Sequence, residues 1–182
     1  MTRIEDLSHV VEDGMVTYPG LPAPAISDHL TREASRSHYA PGTEFHIGRI
    51  DMVANTGTYL DTPAHRFADG SDLSTTPLER MVELDGIVVD VVGRAEIGPD
   101  AFDGLELAGL AVLLRTDHAR RWGTESYFAD HPYVTADGAR RLADAGAALV
   151  GIDTLNVDGT ATGERPAHTT LLGAGIPVVE HL

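Results

Sequence analysis

The sequence predicts an α/β fold with mixed strands, and three segments carry that prediction. Residues 135–145 have the pattern of a helix, with Thr135 as the N-cap, Asp137 in the first turn and Gly146 as the terminator. Residues 147–152 then return as a buried strand, and residues 110–114 form an earlier apolar strand. A strand, a helix and a second buried strand in this order are typical of an α/β protein. With 182 residues, 42% of them hydrophobic, we expect residues 1–182 to form a single domain.

The remaining elements are predicted in chain order, because proline, glycine and polar clusters mark where each one begins and ends. Prolines and glycines interrupt residues 14–45, which predicts a long, partly irregular arm, and long loops in compact domains are usually functional. Loose alternation of apolar residues over 47–53 predicts a strand. Residues 77–84 are expected to form a short helix with Pro77 in its first turn, and 99–102 a helical turn. Residues 87–92 are expected to form another strand.

The amino-acid composition excludes some classes of binding partner and some kinds of catalytic and metal site. A net charge of −15 argues against nucleic acid or an anionic membrane as partner and favours a small-molecule substrate. The chain has no lysine, which excludes a Schiff base on a lysine side chain, and no cysteine, which excludes thiolate metal sites. No apolar run approaches the ~20 residues that span a bilayer. We therefore expect a soluble, cytoplasmic protein.

The most informative segment is Asn55-Thr56-Gly57-Thr58-Tyr59-Leu60-Asp61-Thr62-Pro63-Ala64-His65. Gly57 permits a positive φ or a close approach, and Pro63 cannot donate to a central sheet ladder. Asp61 and His65 lie four residues apart in this extended or turning segment, just beyond a predicted strand. On the residues alone, the segment is either a catalytic site or a polar loop with both side chains solvated.

This segment resembles the signature of the cyclase family, the metal-dependent hydrolases that include bacterial kynurenine formamidase. The family pattern is His-x-Gly-Thr-His-x-Asp-x-Pro-x-His. Five of its seven fixed positions match, whereas Asn55 and Tyr59 stand where the family carries metal-ligand histidines. Further family-like segments lie along nearly the whole chain: Asp6-Leu7-Ser8-His9, Tyr18-Pro19-Gly20, Leu114-Arg115-Thr116, Trp122-Gly123, Pro166-Ala167-His168 and Glu180.

The resemblance implies a swivelling β/β/α architecture and an active site made by Asp61, His65, His168 and Glu180. One Zn²⁺ or Mn²⁺ ion is one possibility, held by Asp61, His65 and Glu180 with the Asn55 carbonyl. An amide and a phenol are poor substitutes for imidazoles toward such metals, so a metal-free site is the other possibility. In that version His65 or His168 is the base, Glu180 orients an imidazole, and Tyr59 donates to an oxyanion.

The resulting expectation is a formamidase-like hydrolase of an amide, lactone or cyclic imide bond, with water activated by His65 or by a metal at Asp61. A metal-independent cyclase or lyase on the same scaffold is a second hypothesis. A binding pseudoenzyme is a third, since two family histidines are replaced. We also expect a homodimer or homotetramer, with contacts through the arm at residues 14–45.

Other polar and aromatic residues are assigned structural roles. Asp153 follows a predicted strand and is expected to accept hydrogen bonds from loop amides. Tyr127 and Phe128 are expected to form a core cluster, with a wall for an aromatic substrate, including Trp122, as the alternative.

Overall fold

The computed structural model describes residues 4–182. Their contacts divide the chain into two units, residues 10–57 and residues 4–9 with 58–182, which are described separately. The elements in chain order are β1 (Ala25–Leu30), α1 (Arg32–Ser35), β2 (Ile47–Asp51), β3 (Tyr59–Asp61), β4 (Gly86–Asp90), β5 (Glu96–Ile97), β6 (Ala111–Arg115), β7 (Tyr133–Val134), α2 (Ala136–Asp144), β8 (Leu149–Ile152), α3 (Pro166–Gly173) and β9 (Val178–Glu180).

A five-stranded mixed sheet forms the centre of the larger unit, in the order β3-β9-β8-β6-β4. Strands β4, β6, β8 and β9 are parallel, and β3 is antiparallel to β9. The predicted α/β class with a mixed sheet is therefore confirmed. Strands β5 and β7 form a separate parallel pair.

The pairing of β3 with β9 brings the family-like motif next to the end of the chain. Tyr59 lies opposite Glu180, and Asp61 lies opposite Val178. Side chains alternate between the faces of a strand and directly paired residues share a face, so Tyr59, Asp61 and Glu180 project to the same side of the sheet. Residues separated by about 120 positions thus meet at one sheet edge.

The core of this unit lies where α2 and α3 pack together and against the sheet. Strands β6 and β8 contribute Val112, Leu114, Val150 and Ile152, all at most 2% exposed. Leu142 of α2 and Leu171 and Leu172 of α3 are buried in the same cluster. The larger unit, which contains Asp61 and His65, is therefore built around a packed apolar core.

The strongest predicted helix is confirmed as α2. Its N-cap Thr135 accepts a hydrogen bond from the Gly138 amide, and Gly146 follows the helix at a φ of 74°. The predicted strands at 47–53, 87–92, 110–114 and 147–152 appear as β2, β4, β6 and β8, with bounds shifted by one or two residues.

The helix predicted for residues 77–84 is wrong, because only a 3₁₀ turn forms at Leu78–Arg80. Leu78 and Val82 are 66% and 50% exposed, so much of the expected apolar face gains little tertiary packing. Glu83 adopts a φ of 55°, which ends any helical continuation. A segment of this length needs such packing to stay helical.

The smaller unit contains an antiparallel pair of strands, β1 and β2, so the predicted irregular arm is partly ordered. The pairing has an irregularity between Asp28 and Leu30. Thr31 caps the short helix α1 by accepting a hydrogen bond from the Ala34 amide. Across residues 4–182, none of the helices has the length and apolar character needed to cross a membrane.

Candidate functional site

Asp61, the last residue of β3, lies at the centre of the candidate site. Its side chain is buried, and the 3₁₀ turn Pro63–His65 brings His65 back over it, with Nδ1 of His65 3.2 Å from Oδ1 of Asp61. The His65 side chain keeps 42% of its surface exposed. Oδ2 of Asp61 has no hydrogen-bond partner within residues 4–182. A buried carboxylate oxygen without a hydrogen bond is uncommon, which makes this atom a candidate to contact a ligand or a reactant.

His168 enters the site from the first turn of α3. Its Nδ1 lies 2.7 Å from Oδ2 of the fully buried Asp158, which also accepts hydrogen bonds from the Ala167 and His168 amides. These bonds fix the ring, and its Nε2 faces two other carboxylates. The Nε2 atom lies 3.6 Å from Oδ2 of Asp61 and 3.5 Å from Oε1 of Glu180.

Glu180, at the end of β9, is fully buried. Its Oε1 accepts a hydrogen bond of 2.6 Å from the Val157 amide, and its Oε2 accepts one of 2.5 Å from the Tyr59 hydroxyl. Tyr59 therefore stands where the family pattern has a histidine and binds the Glu180 carboxylate instead.

Burial and the clustered carboxylates shift the pKa values of this site. Burial raises the pKa of Glu180 to about 7, although the nearby His168 charge and the Tyr59 hydrogen bond act in the opposite direction. Burial alone would lower the pKa of His168. The hydrogen bond to Asp158 and the carboxylates of Asp61 and Glu180 outweigh burial and raise that pKa to about 10. Two groups with shifted proton affinity thus lie 3.5 Å apart.

Most of the residues predicted for the site lie together. Asp61, His65, His168, Glu180 and Tyr59 are linked by the distances above. Asn55 belongs to the smaller unit, where its carbonyl oxygen is 3.4 Å from Oγ1 of Thr17, and its proposed role as a metal ligand stays a prediction.

Sequence reasoning missed Asp158, which contacts His168 on the side away from Asp61. The two residues are ten positions apart, and the intervening segment is polar and rich in glycine and threonine. No helical or strand spacing connects them, so periodicity could not have identified the pair. The only sequence signal for this contact was that Asp158 is an acidic residue shortly before His168.

The donor set fits a divalent metal ion. One ligand atom each from Asp61, His65 and His168 lie within 4.8 Å of one another. Tetrahedral zinc with ligand distances of ~2.1 Å separates its ligand atoms by ~3.4 Å. Nδ1 of His65 lies 3.2 Å from Oδ1 of Asp61, and Nε2 of His168 lies 3.6 Å from Oδ2, the other oxygen of the same carboxylate. The Asp158–His168 hydrogen bond has the form of the carboxylate–histidine pair that orients metal ligands. Oδ2 of Asp61 makes no hydrogen bond within residues 4–182, so it is available to bind a metal ion.

The aromatic residues beside the site form a packed cluster. Tyr127 is 1% exposed, and its hydroxyl lies 2.8 Å from Nδ1 of the buried His181. Trp122 packs edge-on against Tyr127, and His9 stacks on Trp122 at 3.9 Å. The core role predicted for Tyr127 is thus confirmed. Asp153 also has its predicted structural role, because its Oδ1 accepts hydrogen bonds from the amide and hydroxyl of Thr116.

The site opens on a groove of about 570 Å³. His65 and His168 lie in its wall beside Arg66, Thr169 and Arg165. A slightly larger cavity, about 610 Å³ near His131 and Tyr133, includes neither histidine of the site. The smaller groove is therefore the opening that matters for chemistry, and its size suits a small molecule.

Comparison with known proteins supports the sequence resemblance. Kynurenine formamidase of Bacillus mycoides is 28% identical over 179 residues, which cover 97% of this chain and 80% of the relative. Kynurenine formamidase of Geobacillus thermodenitrificans is 27% identical with the same coverage. Both relatives are named for an activity on a formamide.

Solved structures agree with these sequence matches. A structure described as a potential metal-dependent hydrolase with cyclase activity is 28% identical and superposes with a TM-score of 0.78, covering 98% of this chain and 80% of that one. Isatin hydrolase A from Labrenzia aggregata, 23% identical, superposes with a TM-score of 0.80, covers 99% of this chain and 80% of its own, and supports the fold alone. The model of the Cyclase family matches residues 5–159, most of the chain, and this protein therefore belongs to the cyclase family.

Proposed function

We propose that this protein hydrolyses an amide, lactone or cyclic imide bond of a small molecule at the site formed by Asp61, His65, His168 and Glu180. One observation carries the proposal. Oδ2 of Asp61, which makes no hydrogen bond within residues 4–182, lies 3.6 Å from Nε2 of His168, and His65 and His168 both line a groove that reaches solvent. The kynurenine formamidase relatives support a C–N bond as the target.

In the absence of a metal, His65 is the residue best placed to take a proton from the attacking water. Its Nδ1 faces the Asp61 carboxylate at 3.2 Å, which favours the tautomer with the proton on Nδ1. The Nε2 atom then has a free lone pair, and the ring is exposed enough to meet water in the groove. A carboxylate that orients an imidazole in this way is a common arrangement for a general base.

Glu180 and His168 hold the proton needed by the leaving group. Because burial raises the pKa of Glu180 to about 7, its carboxyl group is partly protonated at neutral pH. His168 shares the space between Glu180 and Asp61. Tyr59 hydrogen-bonds the Glu180 carboxylate, so we assign it to setting that proton affinity.

Asp61, His65 and His168, with Glu180 beside them, would hold a zinc or manganese ion. Such an ion supplies Lewis acidity toward the substrate carbonyl and lowers the pKa of water. With His65 and His168 as ligands, Glu180 is the group of this site that would hold and move the proton. Metal binding and its identity are part of the proposal.

Hydrolysis of a substrate panel tests this function. Formanilides, a cyclic imide and an aromatic lactone are incubated with purified protein, with and without Zn²⁺ or Mn²⁺. We expect turnover of at least one C–N substrate and a loss of about 10²-fold or more in His65→Gln, the size typical of a general base. His46→Gln is the matched control, since His46 is exposed and pairs with Asp28.

The two alternatives give different outcomes in the same assay. Ring closure or elimination without water incorporation, and without a metal requirement, would favour the cyclase or lyase hypothesis. Binding of panel compounds without turnover would favour the pseudoenzyme hypothesis.

We also propose that the protein is a cytoplasmic homodimer or homotetramer. In the smaller unit, Ile26, Phe45, Ile47, Ile50 and Met52 are 41–65% exposed. An exposed apolar patch of this kind is typical of a subunit contact. The charge of −15 argues against nucleic acid and anionic membranes as partners.

A further inference from the structure

Arg66 lies in the groove beside the two histidines of the candidate site. It directly follows the 3₁₀ turn Pro63–His65, so it is placed by the same backbone that positions His65. His65, Arg66, His168 and Thr169 all line the groove of about 570 Å³. Any molecule that reaches the histidines through this groove passes within the range of the Arg66 side chain.

Two contacts hold Arg66 in place without satisfying its charge. Its Nε lies 3.2 Å from Oγ1 of Thr169, and its guanidinium carbon lies 5.4 Å from the centre of the Phe67 ring. Within residues 4–182, its two terminal nitrogens have neither a hydrogen bond nor an ion pair. Those nitrogens form the edge of a guanidinium that binds a carboxylate through two parallel hydrogen bonds.

The other arginine of the groove has a different task. One terminal nitrogen of Arg165 donates to the carbonyls of Thr162 and Glu164, at 2.8 Å and 2.7 Å, and lies 3.4 Å from that of Gly159. Arg165 therefore holds the loop before α3. Of the two arginines of the groove, Arg66 is the one with no hydrogen bond at either terminal nitrogen within residues 4–182.

The chain is strongly acidic, so an arginine without a carboxylate partner needs an explanation. The sequence has 28 acidic and 13 basic residues, and many surface arginines are paired with carboxylates. An arginine beside the site without such a pair meets a ligand that supplies the negative charge.

We propose that Arg66 binds a carboxylate of the substrate, so that the preferred substrates are small acyl compounds with a free carboxylate near the bond to be cleaved. This inference rests on the proposed hydrolytic function for the identity of the bond. The anion-binding role itself depends only on Arg66 and the groove.

Binding is measured first, without turnover, using the fluorescence of 2-aminobenzoate and its neutral analogue 2-aminobenzamide. Wild-type protein is expected to bind the carboxylate more tightly than the amide, with an affinity that falls as salt rises. Arg66→Gln should weaken 2-aminobenzoate binding by about tenfold or more, the size of one charge-assisted pair. Arg121→Gln, at an exposed arginine outside the groove and without an ion pair in the described part of the chain, should bind like the wild type.

Kinetics then connect this site with the reaction. With 2-formamidobenzoate and 2-formamidobenzamide as a matched pair, Arg66→Gln should lower kcat/KM for the carboxylate about tenfold more than for the amide, mainly through KM. Arg66→Lys should recover only part of the loss, because a lysine lacks the two-pronged geometry.

Absence of 2-aminobenzoate binding by the wild type, or equal binding by Arg66→Gln, would overturn the proposal. Equal losses in Arg66→Gln and Arg121→Gln would also overturn it. Carboxylate binding that depends on Arg66, with no turnover of any substrate, would instead refute the hydrolytic function and leave the anion site intact.

Discussion

Replacement of Asp158 by asparagine should cost more stability than any surface carboxylate change in this protein. The Asp158 side chain is fully buried, and its oxygens accept from the Ala167 amide at 2.6 Å, the His168 amide at 3.0 Å and the His168 ring at 2.7 Å. Asparagine has one acceptor oxygen and no charge. Whichever way the amide is turned, its NH₂ group faces a backbone or ring donor.

The magnitude follows from these three contacts. One charge-assisted hydrogen bond, worth ~1.5–3 kcal/mol, is lost, and the remaining two weaken by about 1 kcal/mol each as the acceptor becomes neutral. The sum, about 4 kcal/mol, agrees with the ~3–5 kcal/mol cost of breaking a buried ion pair. With a urea m-value of ~2 kcal/mol/M, the unfolding midpoint should fall by about 2 M.

Urea denaturation followed by circular dichroism checks this value. Asp72→Asn is the matched control, because Asp72 also accepts from a backbone amide, that of Thr75 at 2.9 Å, but at the exposed surface. Its midpoint should stay close to that of the wild type. A fall of less than about 0.5 M for Asp158→Asn, equivalent to ~1 kcal/mol, would refute the view that Asp158 anchors His168 and the start of α3.

Three further predictions concern acid stability, metal affinity and assembly. Burial lowers the pKa of His181 to about 3. Below pH 6.5 the unfolded state therefore binds a proton that the folded state does not, and this residue should destabilise the fold by roughly 1 kcal/mol at pH 5.5. Urea unfolding at pH 7.5 and 5.5 should show this difference between wild type and His181→Gln, a comparison that cancels the opposite contribution of Glu180, whereas equal losses would contradict it. Asn55→His combined with Tyr59→His should raise zinc or manganese affinity by restoring the family's ligand pattern around Asp61, and calorimetry showing no gain would mean that the site has been reshaped. Sedimentation should give a mass of two or four subunits that persists in high salt, because an apolar contact is not screened, and a species near 19.4 kDa at micromolar concentration in both low and high salt would exclude assembly.

Most residues of the candidate site could be predicted from the sequence because they belong to short, recognisable segments. Asp61 and His65 lie in a single motif, and His168 and Glu180 lie in family-like surroundings. What joins them is the antiparallel pairing of β3 with β9, a contact between distant parts of the chain. Local pattern cannot encode such a pairing, so the Tyr59–Glu180 hydrogen bond could not be predicted.

The secondary structure was predictable where local and tertiary signals agreed. Helix α2 has a capping threonine, an apolar stripe that reaches the core and a terminal glycine. Residues 77–84 have helix-compatible residues but leave Leu78 and Val82 largely exposed, and the helix does not form. Helix α3 was missed because its residues are small or apolar on all sides and show no periodic stripe.

Hydrolysis of an aryl formamide by the wild type and by Asp61→Asn tests the central claim most directly. The substitution preserves the shape of the side chain but replaces one carboxylate oxygen by an NH₂ group, at a position whose Oδ2 lies 3.6 Å from Nε2 of His168. The account predicts hydrolysis by the wild type and a fall in kcat/KM of about 10²–10⁴-fold in the variant, the range typical when a group at the reacting centre is removed, with a circular dichroism spectrum like that of the wild type. A folded Asp61→Asn protein with activity within threefold of the wild type would contradict it.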